Sequence, residues 1–175
     1  VKWCAVALSD VVARGKRLEA SVFDVEAKQA YMLLTHGKYP AVNLISKNGP
    51  VEKAYYGGRL KRHYVDETEP GSVGFLGSSE MLDCKPEPVK FMFNDVETAD
   101  VRVKQGMVLI SRSGTIGNVT YVGNTLSKFF VSEHAIRIEC KDFPGYVYAF
   151  LKTKIGKLIV CSTQYGAVIQ EIEPE

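Results

Sequence analysis

The residue types best able to do chemistry crowd into Ser111-Arg-Ser-Gly-Thr-Ile-Gly-Asn-Val119, directly after the apolar run 107–110. Several loop chemistries draw on glycines, hydroxyls and an arginine together. A phosphate-cradling P-loop requires G-x-x-x-x-G-K-[ST] at the start of a helix, whereas here Gly117 is followed by Asn118, Val119 and strand-like sequence. A dinucleotide fingerprint needs three spaced glycines, again opening a helix. A GxxG clamp on RNA sits between helices, and Gly114 and Gly117 lie between strand-like runs. Two readings stay open. The stretch is a plain hairpin loop whose glycines take positive φ. Alternatively, Arg112, Ser113 and Thr115 stand on an exposed loop and contact phosphates and guanine edges.

Other candidates gather near turns. The stretch "GGRLKRHY" at 57–64 holds Arg59, Lys61 and Arg62 with Tyr64 beside them. As a strand, it would put Arg59 and Lys61 on one face and Leu60 and Arg62 on the other; a charge-guarded strand edge is the bland alternative. Gly77, Ser78 and Ser79 offer backbone amides and two hydroxyls, with a plain turn as the competing reading, and Lys128 follows the Gly123-Asn124 turn. Gln164 brings an amide able to grip adenine, and Tyr165 a ring that stacks; a helix C-terminal loop closed by Gly166 competes with that reading. Ser132, Glu133 and His134 invite a catalytic relay. Neighbours on a strand point to opposite faces, so a structural hydrogen-bonding role is expected instead.

These residues need a frame, and composition bounds it. The 175 residues are 46% apolar and 24% charged, ordinary values for one soluble domain with a real core. No apolar run reaches the length of a membrane span, and the first ten residues do not form a secretory signal, so a cytoplasmic location is expected. Cys4, Cys84, Cys140 and Cys161 are scattered, which fits free thiols rather than a disulfide framework or zinc site; Cys140 and Cys161 read as core fillers. The net charge of +2 conceals segregation. Residues 1–65 carry 11 Lys and Arg against 5 Asp and Glu, residues 66–100 carry 2 against 9, and residues 101–175 carry 9 against 6. A basic face is therefore compatible with a nearly neutral protein.

Periodicity supplies the elements. The chain through Leu18 reads as extended and "DVEAKQAYMLL" (24–34) as a helix opened by Asp24. Gly57-Gly58 reads as a hairpin turn and "EPGSVGFLGSSEML" as irregular chain. The acidic stretch 94–100 reads as a solvated loop. Strands are expected at 107–110, 118–122 and 135–140, the last with Ile136, Ile138 and Cys140 on one face and Arg137 with Glu139 on the other. Two short helices divided at Gly156 follow, and "AVIQEI" (167–172) closes as a strand. The sum is an α+β single domain, residues 1–175, with a largely antiparallel twisted sheet and a few short helices.

The segment "GMVLISRSGTIGNVTYV" (106–122) resembles the central motif of the target recognition domain in type I restriction-modification specificity (S) subunits. "KAYYGGRLKRHYV", "GFLGSSEML", "VSEHAIRI", "PGYVYAFLKTKIGK" and "STQYGAVIQEI" resemble further blocks of that family in the same order, and Trp3 to Leu18 resembles the opening of that domain. The resemblance implies a non-catalytic reader of one half of a bipartite duplex DNA site. It further implies a methyltransferase (M) subunit using S-adenosylmethionine and an ATP-dependent restriction (R) subunit as partners, with no cofactor on this chain. The helical spacers of a full S subunit are absent, so a fragment, half-subunit or excised domain is expected. No adenine-methyltransferase Asn/Asp-Pro-Pro-Tyr element and no clustered nuclease carboxylates occur in the sequence. Two rivals remain: an RNA- or single-strand-binding module using the basic and aromatic residues as a stacking platform, and a small hydrolase or methyltransferase built on Cys161 or His134.

Overall fold

Alternating side chains set the strands, and the need to cover both faces of the central ones sets their arrangement. In the computed structural model, residues 5–13, 15–16, 18, 20–95, 98–164 and 171–174 are described. Helices α1 (Leu8–Ala13) and α2 (Val25–Thr35) are followed by strands β1 (Val51–Tyr56), β2 (Ser72–Leu76), β3 (Phe91–Phe93), β4 (Val108–Ser111), β5 (Val119–Tyr121), β6 (Phe130–Val131) and β7 (Ala135–Cys140). Helices α3 (Pro144–Lys152) and α4 (Lys154–Cys161) come last. The strands form a four-stranded antiparallel sheet in the order β1-β7-β4-β5 and a three-stranded sheet in the order β3-β2-β6. In the smaller sheet β2 runs antiparallel to β3 and parallel to β6. The architecture is α+β, as the periodicity predicts. Among the described residues, no helix is long and apolar enough to cross a membrane.

The continuous apolar run of β4 follows from its place. Val108 and Ile110 pack with Ile136 and Ile138 of β7, Val147 and Leu151 of α3, and Ile172. Leu109 points the other way, into a second cluster with Leu76, Met81 and Val131 on the side of the smaller sheet. Buried on both faces, β4 has no reason to alternate. Helix α2 matches expectation: the Asp24 carboxylate caps it by accepting from the Ala27 N–H at 2.9 Å. Helices α3 and α4 divide at Thr153 rather than at Gly156, which lies inside α4 and packs closely on α3: a Cβ there would come within 2.3 Å of the Phe150 carbonyl oxygen. Cys140 and Cys161 are half-buried, and burial pushes both thiols up; Cys4 lies outside the described residues.

Several expectations are corrected. Residues Leu8–Ala13 are helical rather than extended, with the Ala7 carbonyl accepting from the Asp10 and Val11 amides; Trp3 lies outside the described residues. Gly57-Gly58 does not turn a hairpin, because β1 pairs with β7 and the chain from 57 to 64 leaves the sheet as a loop. Gly57 serves close approach instead: a Cβ there would lie 2.8 Å from the Asp100 carbonyl oxygen. The glycine-rich stretch after Pro70 contains β2, whose Gly74 leaves room for the Pro88 and Phe129 rings. The acidic stretch is not wholly solvated. Thr98 is buried and exchanges hydrogen bonds with Asp95 in both directions, at 3.0 and 3.1 Å. Of the expected closing strand, residues 167–170 lie outside the described residues, and Glu171 makes one antiparallel bridge to Ser113.

The alternation expected of β7 holds, and what it did not reveal is the burial of Arg137. Alternation places it opposite Ile136 and Ile138, and so it stands, but that face is covered by the smaller sheet. Arg137 is fully buried, donating from Nη1 to the Ala135 carbonyl at 3.0 Å and from Nη2 to the Val131 carbonyl. Burial lowers its pKa, opposed by the negative fields of Tyr55, Glu133 and Asp100. Glu139, two residues on, reaches the sheet margin and takes Tyr55 Oη at 2.6 Å and Lys53 Nζ at 3.4 Å. Arg137→Ala leaves a cavity and two unpaired carbonyls, so we expect a loss of about 3–5 kcal/mol, measured by urea unfolding. A midpoint within experimental scatter of the parent's would show that the guanidinium does not hold the sheets together.

Candidate nucleic-acid interface

Residues 112–118 make a bonded turn. Gly114 and Gly117 take φ of 75° and 72°, conformations glycine adopts without steric cost. The Ser111 hydroxyl is shared between the Ser113 carbonyl at 3.1 Å and the Thr115 hydroxyl at 2.9 Å. Ser113 Oγ meets His134 Nδ1 at 3.0 Å. The far side of the turn rests on α4, where Lys157 Nζ donates to Asn118 Oδ1 at 2.9 Å and a Cβ on Gly117 would come within 2.7 Å of Cys161 Sγ.

Arg112 is gripped from every side. Its N–H donates to the His134 carbonyl at 2.8 Å, and its own carbonyl accepts from the Ile172 N–H at 3.2 Å. The guanidinium lies 4.3 Å from the centre of the Tyr56 ring and pairs with Glu171 at 2.8 Å and Glu173 at 2.9 Å. Nε donates to the Ile172 carbonyl at 3.3 Å, and the side chain is only 11% exposed. The expectation of an exposed reading finger is therefore corrected. Arg112, Ser113 and Thr115 spend their polar groups inside the molecule, holding the turn, the Ser132–His134 segment and the 171–173 segment together.

The open cationic surface lies beside that frame, on the loop from Gly58 to Tyr64. This segment is a loop and not a strand, and Arg59, Lys61, Arg62 and His63 are all exposed. Arg62 fixes the loop. Its Nη2 contacts Glu133 Oε1 at 2.6 Å and its guanidinium sits 5.4 Å from the Phe75 ring centre. Tyr64 stands edge-on to Phe75 at 6.2 Å and carries the Lys90 ammonium 5.4 Å from its own ring centre. Burial pushes the Glu133 carboxyl up, but the hydrogen bond and charge of Arg62, with Glu133's own amide and His134, outweigh it and hold the group below the usual carboxylate range. The Glu133 hydrogen bond raises the Arg62 pKa in return.

The remaining candidates fall at different distances from this loop. The parallel β2–β6 pair ends in two neighbouring turns, since the Ser132 N–H donates to the Leu76 carbonyl at 3.0 Å. Ser78 and Ser79 follow the end of β2, in a turn closed by Glu80 accepting from the Gly77 N–H at 2.6 Å. Lys128 is exposed but precedes β6, at the opposite end of that strand. Gln164 follows α4, its N–H donating to the Cys161 carbonyl at 3.3 Å, on the far flank of the glycine turn. Tyr165 lies outside the described residues. Ser132–His134 is a turn rather than a strand, so Glu133 and His134 share a side: His134 Nε2 is 3.9 Å from Glu133. Their contacts are structural, Glu133 holding Arg62 and His134 holding Ser113. The structural hydrogen-bonding role expected of Glu133 and His134 holds, but sequence reasoning missed Phe75 as an organiser and Arg62 as the partner of Glu133, since neither has a local pattern that names its partner.

No family model matches the chain, and no curated protein matches it. Among solved structures, the chain is similar to the S subunit of a type I restriction-modification system from M. genitalium, with 13% identity and a TM-score of 0.45. That likeness covers 69% of this chain and 28% of the other, so this chain spans well under half of that protein's length.

Removing the Arg112 side chain leaves Glu171 and Glu173 without their shared cation in a half-buried site. We expect Arg112→Ala to lower stability by about 1–3 kcal/mol, and Arg112→Lys to recover part of it, because an ammonium cannot reproduce the fork or the stacking on Tyr56. Denaturant unfolding of both variants checks this. Parent-like stability in Arg112→Ala would return Arg112 to the list of groups available for a ligand.

Proposed function

We propose that this chain is a non-catalytic recognition domain that reads one half of a bipartite double-stranded DNA target for a type I restriction-modification complex. The observation that carries the reading is the Gly58–Tyr64 loop: exposed cations and an aromatic ring held by Arg62 on Glu133 against the buried frame. Loops of this kind meet a polyanion through Arg and Lys and place neighbouring polar groups at base edges. Contacts between the sequence blocks that resemble the S-subunit family support the same reading. Arg62 of one block binds Glu133 of another, His134 binds Ser113 of the central motif, and Lys157 binds Asn118.

On this reading the labour is divided. Arg59 and Lys61 contact phosphates and set register. Ser78 and Ser79, at the adjoining turn, are placed for base-edge or phosphate hydrogen bonds. Gln164 and Tyr165 would read from the α4 side and Lys128 would add charge from outside the cluster. Arg112, Ser113 and Thr115 belong to the frame that aims the others. Methylation with S-adenosylmethionine and ATP-driven cleavage fall to the M and R subunits, and no reaction is assigned to this chain.

Arg59→Ala and Lys61→Ala should each weaken binding to all duplexes alike and reduce the slope of log affinity against log salt by about 0.9. Fluorescence anisotropy on duplex oligonucleotides across a salt series measures both. Parent-like slopes in both variants would remove the loop from the DNA surface, and stronger binding to single strands than to duplex would favour the stacking-platform rival.

A further inference from the structure

Lys90 belongs to the acidic block of the chain: residues 66–100 contain only two basic residues, Lys85 and Lys90, against nine acidic ones. Averaged along the sequence, it sits in the least promising region for an anion. The fold takes it elsewhere. Its carbonyl accepts from the Phe75 N–H at 2.7 Å, which docks the residue on β2, and Val65 bridges to Phe91 next to it. The exposed Lys90 side chain then arches over Tyr64, a residue 44% exposed. Cation and ring alternate along one row, from Lys90 over Tyr64, with Phe75 between Tyr64 and Arg62, to Arg62 on Glu133.

Two physical consequences follow. A lysine resting on an aromatic face has already given up part of its rotamer freedom, so closing on a phosphate costs it less than it costs a solvated lysine. Arg62 is bound to a carboxylate and is therefore poorly placed to neutralise a phosphate, whereas Lys90 has no carboxylate within ion-pair distance among the described residues. Resting on the duplex reading above, we propose that Lys90 is a further DNA-phosphate contact of this surface, poised by Tyr64, and that Arg62 is a positioning residue that keeps the row in place.

The test is a salt series on duplex oligonucleotides with the parent, Lys90→Ala, Lys90→Arg and Lys38→Ala, with thermal unfolding of each variant. Lys38 is the matched control, a surface lysine over the ring of Tyr39 at 5.5 Å, in the segment after α2. Lys90→Ala should lower the salt slope by about 0.9, so that its affinity loss between 50 and 200 mM salt is about 3.5-fold smaller than the parent's. Lys90→Arg should keep the parent slope, Lys38→Ala should leave it unchanged, and unfolding midpoints should not move. A parent slope retained by Lys90→Ala overturns the assignment while leaving the duplex reading intact. Equal slope losses in Lys90→Ala and Lys38→Ala also overturn it, since the charge would then act without regard to place. A parent that fails to bind duplex, or prefers single strands, removes both the assignment and the reading beneath it.

Discussion

The buried guanidinium of Arg137 is the interaction on which the arrangement depends. It lies where β7 of the larger sheet faces the smaller one, and its two terminal nitrogens donate to carbonyls at the end of β6 and the start of β7, while Nε is buried without a hydrogen-bond partner among the described residues. A charged group in that position is costly unless its hydrogens are matched, so the backbone around it has little freedom. Gly57 and Asp100 complete the enclosure from a third direction. The point at which the cationic loop departs from β1 is thereby fixed to the interior.

From that anchor the loop acquires a shape that its own residues would not impose. Glycines and lysines in open chain have high conformational entropy and no mutual attraction. Arg62 supplies the restraint through Glu133, and the Phe75 ring gives both Arg62 and Tyr64 a surface to lie on. Individually such exposed contacts are worth little. Together they order a segment whose ends are already held, at Gly57 and at the Val65–Phe91 bridge, so less entropy remains to oppose them.

The glycine turn illustrates how residue types mislead when their partners are distant. Arginine flanked by serines and glycines has the composition of a phosphate-contacting loop, and composition cannot reveal that Glu171, Glu173 and Tyr56 converge on the same guanidinium. The same is true of Ser113, whose hydroxyl is taken by His134 from twenty-one residues away. Polar groups in a turn are available to a ligand only when the fold leaves them unpaired, and here it supplies partners for most of them.

What the sequence determined by itself was periodic or local. The apolar run of β4, the alternation of Ile136 and Ile138 in β7, the Asp24 cap of α2 and the presence of two short helices after β7 all depend on neighbours within a few residues, and all were legible, although the break between those helices falls at Thr153 and not at Gly156. Tertiary structure decided whatever depended on coverage by a remote segment. It buried Arg137 on a face that alternation would have left to water, made a strand of Ser72–Leu76 by giving it two partners, released the 57–64 chain from the sheet, and carried Lys90 out of an acidic block to the cationic loop. The reason is physical: a backbone pattern shows which way a side chain points, whereas the cost of its charge and the use of its hydrogen bonds depend on what the rest of the chain brings to that side.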